Sequence, residues 1–170
     1  MTSLVKQSDA GAEKNSKPRA QRLPEAWRLE VGAWSRLQAS ASAIRLEVFV
    51  QEQKVPLVEE IDAFDDACEH AVVFDALGRA LATGRLLPDG HIGRMAVLKA
   101  VRGQGLGSAV LIALMSQARK KGFVQVVLSA QTHAQGFYER HGFKPEGVEY
   151  LDANIPHILM RRTLNQSASK

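Results

Sequence analysis

The sequence predicts an α/β (α+β) fold, a mixed central sheet flanked by helices. Three observations predict it. Residues 93–118 run as an extended apolar stretch, a glycine-rich turn and an amphipathic helix, and a valine-rich stretch at 123–130 completes a strand–helix–strand crossover. Ahead of that unit lie short alternating runs divided by turn signals, the pattern of antiparallel strands. Behind it, residues 143–150 and 157–163 read as one further antiparallel pair.

The elements follow in order. Trp27 to Val31 alternates after Pro24 and reads as the first strand. Leu37 to Phe49 reads as a helix, because Ala43, Ile44, Leu46, Val48 and Val50 recur at three- and four-residue spacing, and Pro56 ends or redirects that region. Glu69 to Asp75 and Ala80 to Leu87 form a hairpin around a turn at 76–79. Pro88-Asp89-Gly90 is a turn, and His91 to Leu98 is the next strand. In the helix from Ser108 to Ala118, Leu106, Val110, Leu114 and Ala118 stand one turn apart, with Leu111 and Met115 widening the stripe. Arg119, Lys120 and Lys121 suit the negative end of its dipole, and Gly122 stops it.

Composition restricts the class of protein. A chain of 170 residues, 45% hydrophobic and 24% charged, is one globular domain with a real core. No apolar run reaches the length of a membrane span and no signal-peptide pattern opens the chain, so no membrane partner is expected. The single cysteine, Cys68, excludes an internal disulfide and points to a reducing, cytoplasmic compartment. Nothing nearby activates it, so it reads as a packed residue and not a catalytic thiol. The sequence pI near 9.4 invites a nucleic-acid reading. Residues 1–25 carry a net +2 and residues 161–170 a net +3 of the total +4, which leaves 26–160 at −1. Positive charge therefore gathers at the ends and not along a groove, and no nucleic-acid partner is expected. Residues 1–25 read as a flexible leader, with Asp9 and Glu13 arguing against a transit peptide; residues 26–164 read as the domain and 165–170 as a disordered tail. Five scattered histidines and one cysteine show no metal-ligand spacing, so no metal is expected.

The most informative stretch is Arg102-Gly103-Gln104-Gly105-Leu106-Gly107, lying between strand and helix. Its glycines let several backbone N–H groups and the positive helix end converge on a phosphate, and Arg102 adds a forked cation. A triphosphatase loop needs Gly-Lys followed by Ser or Thr, which is absent. A dinucleotide fingerprint starting at Gly103 would need a glycine where Ser108 stands, and no acid occurs between Gly90 and Tyr138. Two glycines at a set offset recur by chance about once in 200 positions, so the flanking strand and helix carry the argument.

The remaining pattern, Arg-x-x-Gly-x-Gly, resembles the pyrophosphate loop of the GNAT superfamily of N-acetyltransferases. Phe137-Tyr138-Glu139-Arg140-His141-Gly142-Phe143 resembles the GNAT segment whose tyrosine faces the thioester sulfur. ArgLeuGluValPheValGlnGluGln at 45–53, GluIleAsp at 60–62, AlaGlnThrHisAlaGlnGlyPheTyr at 130–138 and IleProHisIleLeuMet at 155–160 are similar to the ElaA-like branch. The likeness runs from about Trp27 to Leu164. It implies acetyl-CoA as acyl donor and a primary amine as acceptor. It also implies coenzyme contacts from Met95, Ala96, Val97, Arg102, Gly103, Gln104, Gly105, Leu106, Gly107, Ser108, Gln131 and Phe137. Gln131 departs from a common GNAT pattern, in which an asparagine stands seven residues before the tyrosine.

Within that resemblance the strand at Met95–Leu98 should end in a bulge or splay, freeing backbone groups for the thioester and the pantetheine amides. A backbone N–H near Val97 would stabilise the oxyanion, and Tyr138 would protonate the leaving thiolate. Phe49, Glu52, Glu60, Asp62, His133 and His157 are the acceptor-side candidates; Glu52, Glu60, His133 or an ordered water chain are candidates for the base. Residues 55–78 hold seven carboxylates and no Lys or Arg, which suits a cationic acceptor if one or two of Glu59, Glu60 and Asp62 face it. Homodimerisation is common in the superfamily, and no apolar patch in the sequence singles it out. Two alternatives stay open: an acyl-homoserine-lactone-synthase-like acyltransferase, similar at 45–50, 60–65 and 84–88, and a non-catalytic acyl-CoA-binding module.

Overall fold

Seven strands align in one sheet in the computed structural model, which describes residues 23–165. They are β1 (Arg28–Ala33), β2 (Glu69–Phe74), β3 (Ala80–Leu86), β4 (His91–Val97), β5 (Gln125–Gln131), β6 (Lys144–Asp152) and β7 (Ile155–Thr163), in the order β1-β2-β3-β4-β5-β7-β6. Only β4 and β5 pair in parallel; every other neighbour is antiparallel. The parallel pair is the one joined through a helix, as chain geometry requires. The leader expected over 1–25 and the tail over 165–170 lie almost wholly outside the described residues. Leu23 and Trp27 already pack on the core, and Leu164 is buried against it.

The helices are α1 (Trp34–Arg45), α2 (Leu57–Glu60), α3 (Leu106–Lys120) and α4 (Gln135–Arg140). Alternation along β3 assigns α1 and α3 to opposite faces. A Cβ on Gly84 would meet Val110 and Leu114 of α3, whereas the next residue, Arg85, turns to the α1 side and bonds Asp65 together with Arg45. The α3 stripe read from the sequence is the buried one: Leu106, Val110, Leu111, Leu114, Met115 and Ala118 are all 2% exposed or less. Each of the larger side chains contributes about 2 kcal/mol by leaving water.

Two details depart from the helix read at 37–49. Regular α-helix starts at Trp34 and stops at Arg45, and Leu46–Glu52 continues as π-helix, closed by the Gln53 N–H on the Val48 carbonyl at 3.0 Å. The wider turn carries Glu52 and Gln53 over the end of the sheet. Such turns concentrate at functional sites.

The sheet opens at its middle. β4 pairs with β5 only through His91–Val127 and Ile92–Leu128, and its register against β3 slips between Arg85–Gly93 and Thr83–Ala96. Arg94 sits in that slip with φ 50°, a left-handed value costly for a residue with a Cβ. Beyond Ile92, β4 turns away from β5 and leaves a wedge-shaped gap.

Candidate active site

A cleft of about 970 Å³ fills the gap. Val97 presents its peptide to it. The Leu98 N–H bonds the Leu81 carbonyl at 3.0 Å, so the Leu98 backbone groups face β3 and the N–H and C=O of Val97 face the β5 side, where no strand follows. The Val97 carbonyl takes a hydrogen bond from Arg102 Nε at 3.0 Å. Met95, Ala96 and Val97 all line the cleft, and the splay expected near Met95–Leu98 begins at Gly93.

The loop between β4 and α3 has the backbone an anion cradle would need. Gly103 and Gly105 adopt φ of 79° and 84°, which the left-handed turn requires, and Gly105 caps α3. The Ala109 N–H makes the first intrahelical bond, to the Gly105 carbonyl; the amides from Gly103 to Ser108 donate to no backbone carbonyl among the described residues. They lie at the positive helix end, and the first turn of α3 holds no acid to oppose an anion. Gly103, Gly105, Leu106, Gly107 and Ser108 line the cleft; the Gln104 side chain is exposed and outside it.

Arg102 also lines the cleft, and its guanidinium is engaged by Glu52. The two carboxylate oxygens lie 2.6 and 2.7 Å from its terminal nitrogens. This fork holds the Glu52 carboxyl below the usual range and raises the Arg102 pKa. Beside it, Gln53 and Gln131 exchange amide hydrogen bonds of 2.8 and 3.4 Å. The π-turn therefore straps the cleft, with one residue fastened to the β4–α3 loop and the next to the end of β5.

Tyr138 enters from α4 and is 8% exposed. Its ring is wedged edge-on between Phe137 and Phe143 at 5.0 and 5.9 Å. Burial pushes its phenol up to about 12, with no hydrogen bond or charge offsetting it. Phe137 packs over Gly107, and Ser108 Oγ meets His141 Nε2 at 2.9 Å, so α4 is fastened to the start of α3. Burial, then Arg162 and Arg140, lower the His141 pKa.

Of the acceptor-side candidates, Phe49, Glu52, His133 and His157 line the cleft. Glu60 and Asp62 do not, and the expectation that they face an acceptor is corrected on that ground. Glu60 is held by Arg45 at 2.5 Å and Arg94 at 3.3 Å, and Asp62 by Arg85 at 2.8 Å and Arg94 at 3.1 Å. Asp65 completes the cluster, with Arg45 at 2.7 Å and Arg85 at 2.8 Å. Three arginines balance three carboxylates where a run of uncompensated acid was read from 55–78. Arg94 also donates to the carbonyls of Glu59 and Glu60, so the cluster pins the β4 bulge to α2. Cys68 is buried, bonds the Phe64 carbonyl, and has its thiol pKa raised by burial, as a packed residue would. Among the described residues no cluster of His, Cys, Asp or Glu could hold a metal, and no helix is long and apolar enough to cross a membrane.

The strap and the arginine cluster went unread in the sequence. The glycine-rich loop, the wedge and the buried tyrosine meet in one cleft, and comparison with known proteins supplies the family. Residues 35–164 match the family described as Acetyltransferase (GNAT) domain, and the chain belongs to that family. It is 41% identical over 123 residues to the uncharacterized N-acetyltransferase YjcF of Bacillus subtilis, covering 70% of this chain and 87% of that protein. Among solved structures it is similar to an acyl-CoA N-acyltransferase from Pseudomonas aeruginosa, at 35% identity and a TM-score of 0.72, over 81% of this chain and 99% of that one. Escherichia coli ElaA aligns at 29% identity and a TM-score of 0.71, over 79% of this chain and 99% of that one.

Proposed function

We propose that the chain transfers an acetyl group from acetyl-CoA to a primary amine of a small molecule or peptide, by direct attack of the amine on the thioester. The observation that carries this reading is the run of unpaired amides from Gly103 to Ser108 beside the open edge of β4. The cradle fits a pyrophosphate: nothing crowds Gly103, and the helix end favours the charge. The intact loop favours coenzyme A over an acyl carrier protein as the source of the acyl group.

In this reading Arg102 turns its fork from Glu52 to phosphate, or keeps one edge on each. The free peptide edge of β4 pairs with the pantetheine amides, and Gln131 is near enough to help once it lets go of Gln53. The Val97 N–H, aimed into the gap, meets the oxyanion that forms when the amine adds. Tyr138 holds its proton at any physiological pH and gives the leaving sulfur a hydrogen bond that tightens as charge grows there. Apolar packing around the phenol keeps water from competing for that bond. The test is a panel of amines offered with acetyl-CoA while free thiol is followed. Coenzyme binding without thiol release from any amine would leave a binding module and remove the transferase assignment from this chain.

A further inference from the structure

The acceptor amine arrives as an ammonium ion and must lose a proton before it can attack. Of the two carboxylates considered for this task, Glu60 lies buried between Arg45 and Arg94, and Glu52 pairs at both oxygens with Arg102 until a phosphate competes for that arginine. His133 is exposed at the rim. His157 is placed differently. It sits on β7 directly opposite Gln131, at the end of β5 where the sheet opens, and the residue is only 9% exposed while lining the cleft.

Its ring is held on two sides. Nδ1 lies 2.6 Å from the Ile155 carbonyl, an acceptor that can only receive, so in the neutral ring the hydrogen is on Nδ1 and the lone pair on Nε2. No hydrogen bond engages Nε2 among the described residues. Tyr150, the register partner of His157 on β6, stacks on the ring at 6.1 Å and 24°, and its hydroxyl is tied to Ser129 Oγ. Register partners share a face of the sheet, so Gln131, His157 and Tyr150 face one way. That is the side of the π-turn, from which Gln53 reaches Gln131. Tyr138 comes from the other side, on a helix fastened to α3.

We infer that His157 is the general base of the reaction, taking the ammonium proton at Nε2 while Tyr138 serves the sulfur from the opposite side of the gap. The inference rests on the acetyltransferase reading above. One ammonium proton passes to Nε2, leaving a neutral amine and an imidazolium. The nitrogen lone pair forms the C–N bond and the C–S bond breaks, with sulfur keeping the electron pair and taking the Tyr138 proton. The second nitrogen proton leaves as the amide forms and restores the phenol. The imidazolium then gives its proton to solvent, so one proton is released per turnover. The wedge lets one acid and one base reach a single thioester from opposite faces of one sheet. Asp152 lines the same end of the cleft and offers a negative charge near the incoming cation.

The experiment compares wild type, His157→Gln and His157→Ala. Acetyl-CoA binding is measured by calorimetry, and thiol release is followed with spermidine, glucosamine, lysine and a short peptide with a free N-terminus. Loss of a positioned base lowers kcat by about 100-fold or more, with coenzyme affinity unchanged, and imidazole added to His157→Ala recovers part of the rate. Full turnover in both variants, or a loss that imidazole does not relieve, overturns the base role while leaving the acetyltransferase reading standing. Failure of wild type to bind acetyl-CoA sinks that reading instead. A second arm needs no acceptor and no variant. Long-range 1H–15N NMR of the histidine-labelled wild type should show neutral His157 protonated at Nδ1; protonation at Nε2 contradicts the inference.

Discussion

Glu52 and Arg102, fifty residues apart in sequence, close on each other across the cleft mouth with both oxygens within 2.7 Å of the guanidinium. The carboxylate stands where a phosphate would compete for the same fork. Both side chains are more than a third exposed or close to it, so the pair is worth about 1 kcal/mol at most. Glu52→Gln should therefore tighten acetyl-CoA binding by about fivefold at most, and Arg102→Ala should weaken it by about tenfold or more. Titration calorimetry on both variants checks this. Unchanged affinity in Arg102→Ala would remove the phosphate role of the arginine.

Tyr138→Phe keeps the ring that packs between Phe137 and Phe143 and deletes only the hydroxyl. Turnover should fall about 100-fold with little change in coenzyme affinity. Because burial raises the phenol to about 12, the wild-type rate should show no alkaline fall from Tyr138 until about pH 11, well above an ordinary tyrosine. Equal activity in the two proteins would leave the tyrosine structural.

The arginine–carboxylate cluster sets the acid limit of the fold. Hydrogen bonds from Arg85 lead the causes that bring Asp62 down to about 2, and Arg45 and Arg85 together lower Asp65 against the upward pull of its burial. Both groups contribute stability that is complete above the ordinary carboxylate range and is lost as pH falls toward their folded values. Glu60 acts with the opposite sign: burial raises it despite Arg94 and Arg45, so its contribution is present at low pH and lost as pH rises through its folded value. Urea midpoints should thus drop steeply between about pH 4 and pH 2, where Asp62 alone accounts for about 2 kcal/mol. In Asp62→Asn that drop should be shallower, starting from a lower stability at neutral pH. A drop of wild-type size in the variant would exclude Asp62 as its source.

Gly84 is required by space and not by backbone angle. A Cβ there would lie 2.6 Å from Met95 Sδ, 2.8 Å from Val110 and 2.9 Å from Leu114, pressing α3 away from the bulged part of β4. Gly84→Ala should cost about 1–3 kcal/mol and lower Tm by several degrees. Because Met95 borders the cleft, coenzyme affinity should fall with it. Unaltered thermal unfolding would show that the contact relaxes freely.

Much of this architecture was legible because its signals are local. The left-handed glycines at 103 and 105, the six-residue stripe of α3 and the turn before β4 each depend on residues within one or two helical turns of one another. The π-turn at 46–52 was not legible, since seven residues do not separate a wider turn from an ordinary one when both bury Val48. The slip at Arg94 was hidden for another reason: an arginine gives no signal for φ of 50°, and its partners at Glu59, Glu60 and Asp62 lie more than thirty residues away. The same long range explains the mistaken acidic face. Asp62 and Asp65 find their cations at Arg45, Arg85 and Arg94, outside the run that looked uncompensated. His157 was legible as a candidate residue, and it lines the cleft, but the strand-end carbonyl that meets its Nδ1 is brought there only by the fold.

The most direct measurement is a calorimetric titration of the protein with acetyl-CoA, with NADH and ATP run alongside under the same conditions. Selective binding of acetyl-CoA, abolished or strongly weakened in Arg102→Ala, is the predicted result. Absence of binding, or equal binding of all three ligands, would contradict the assignment of the Gly103–Ser108 cradle to the coenzyme.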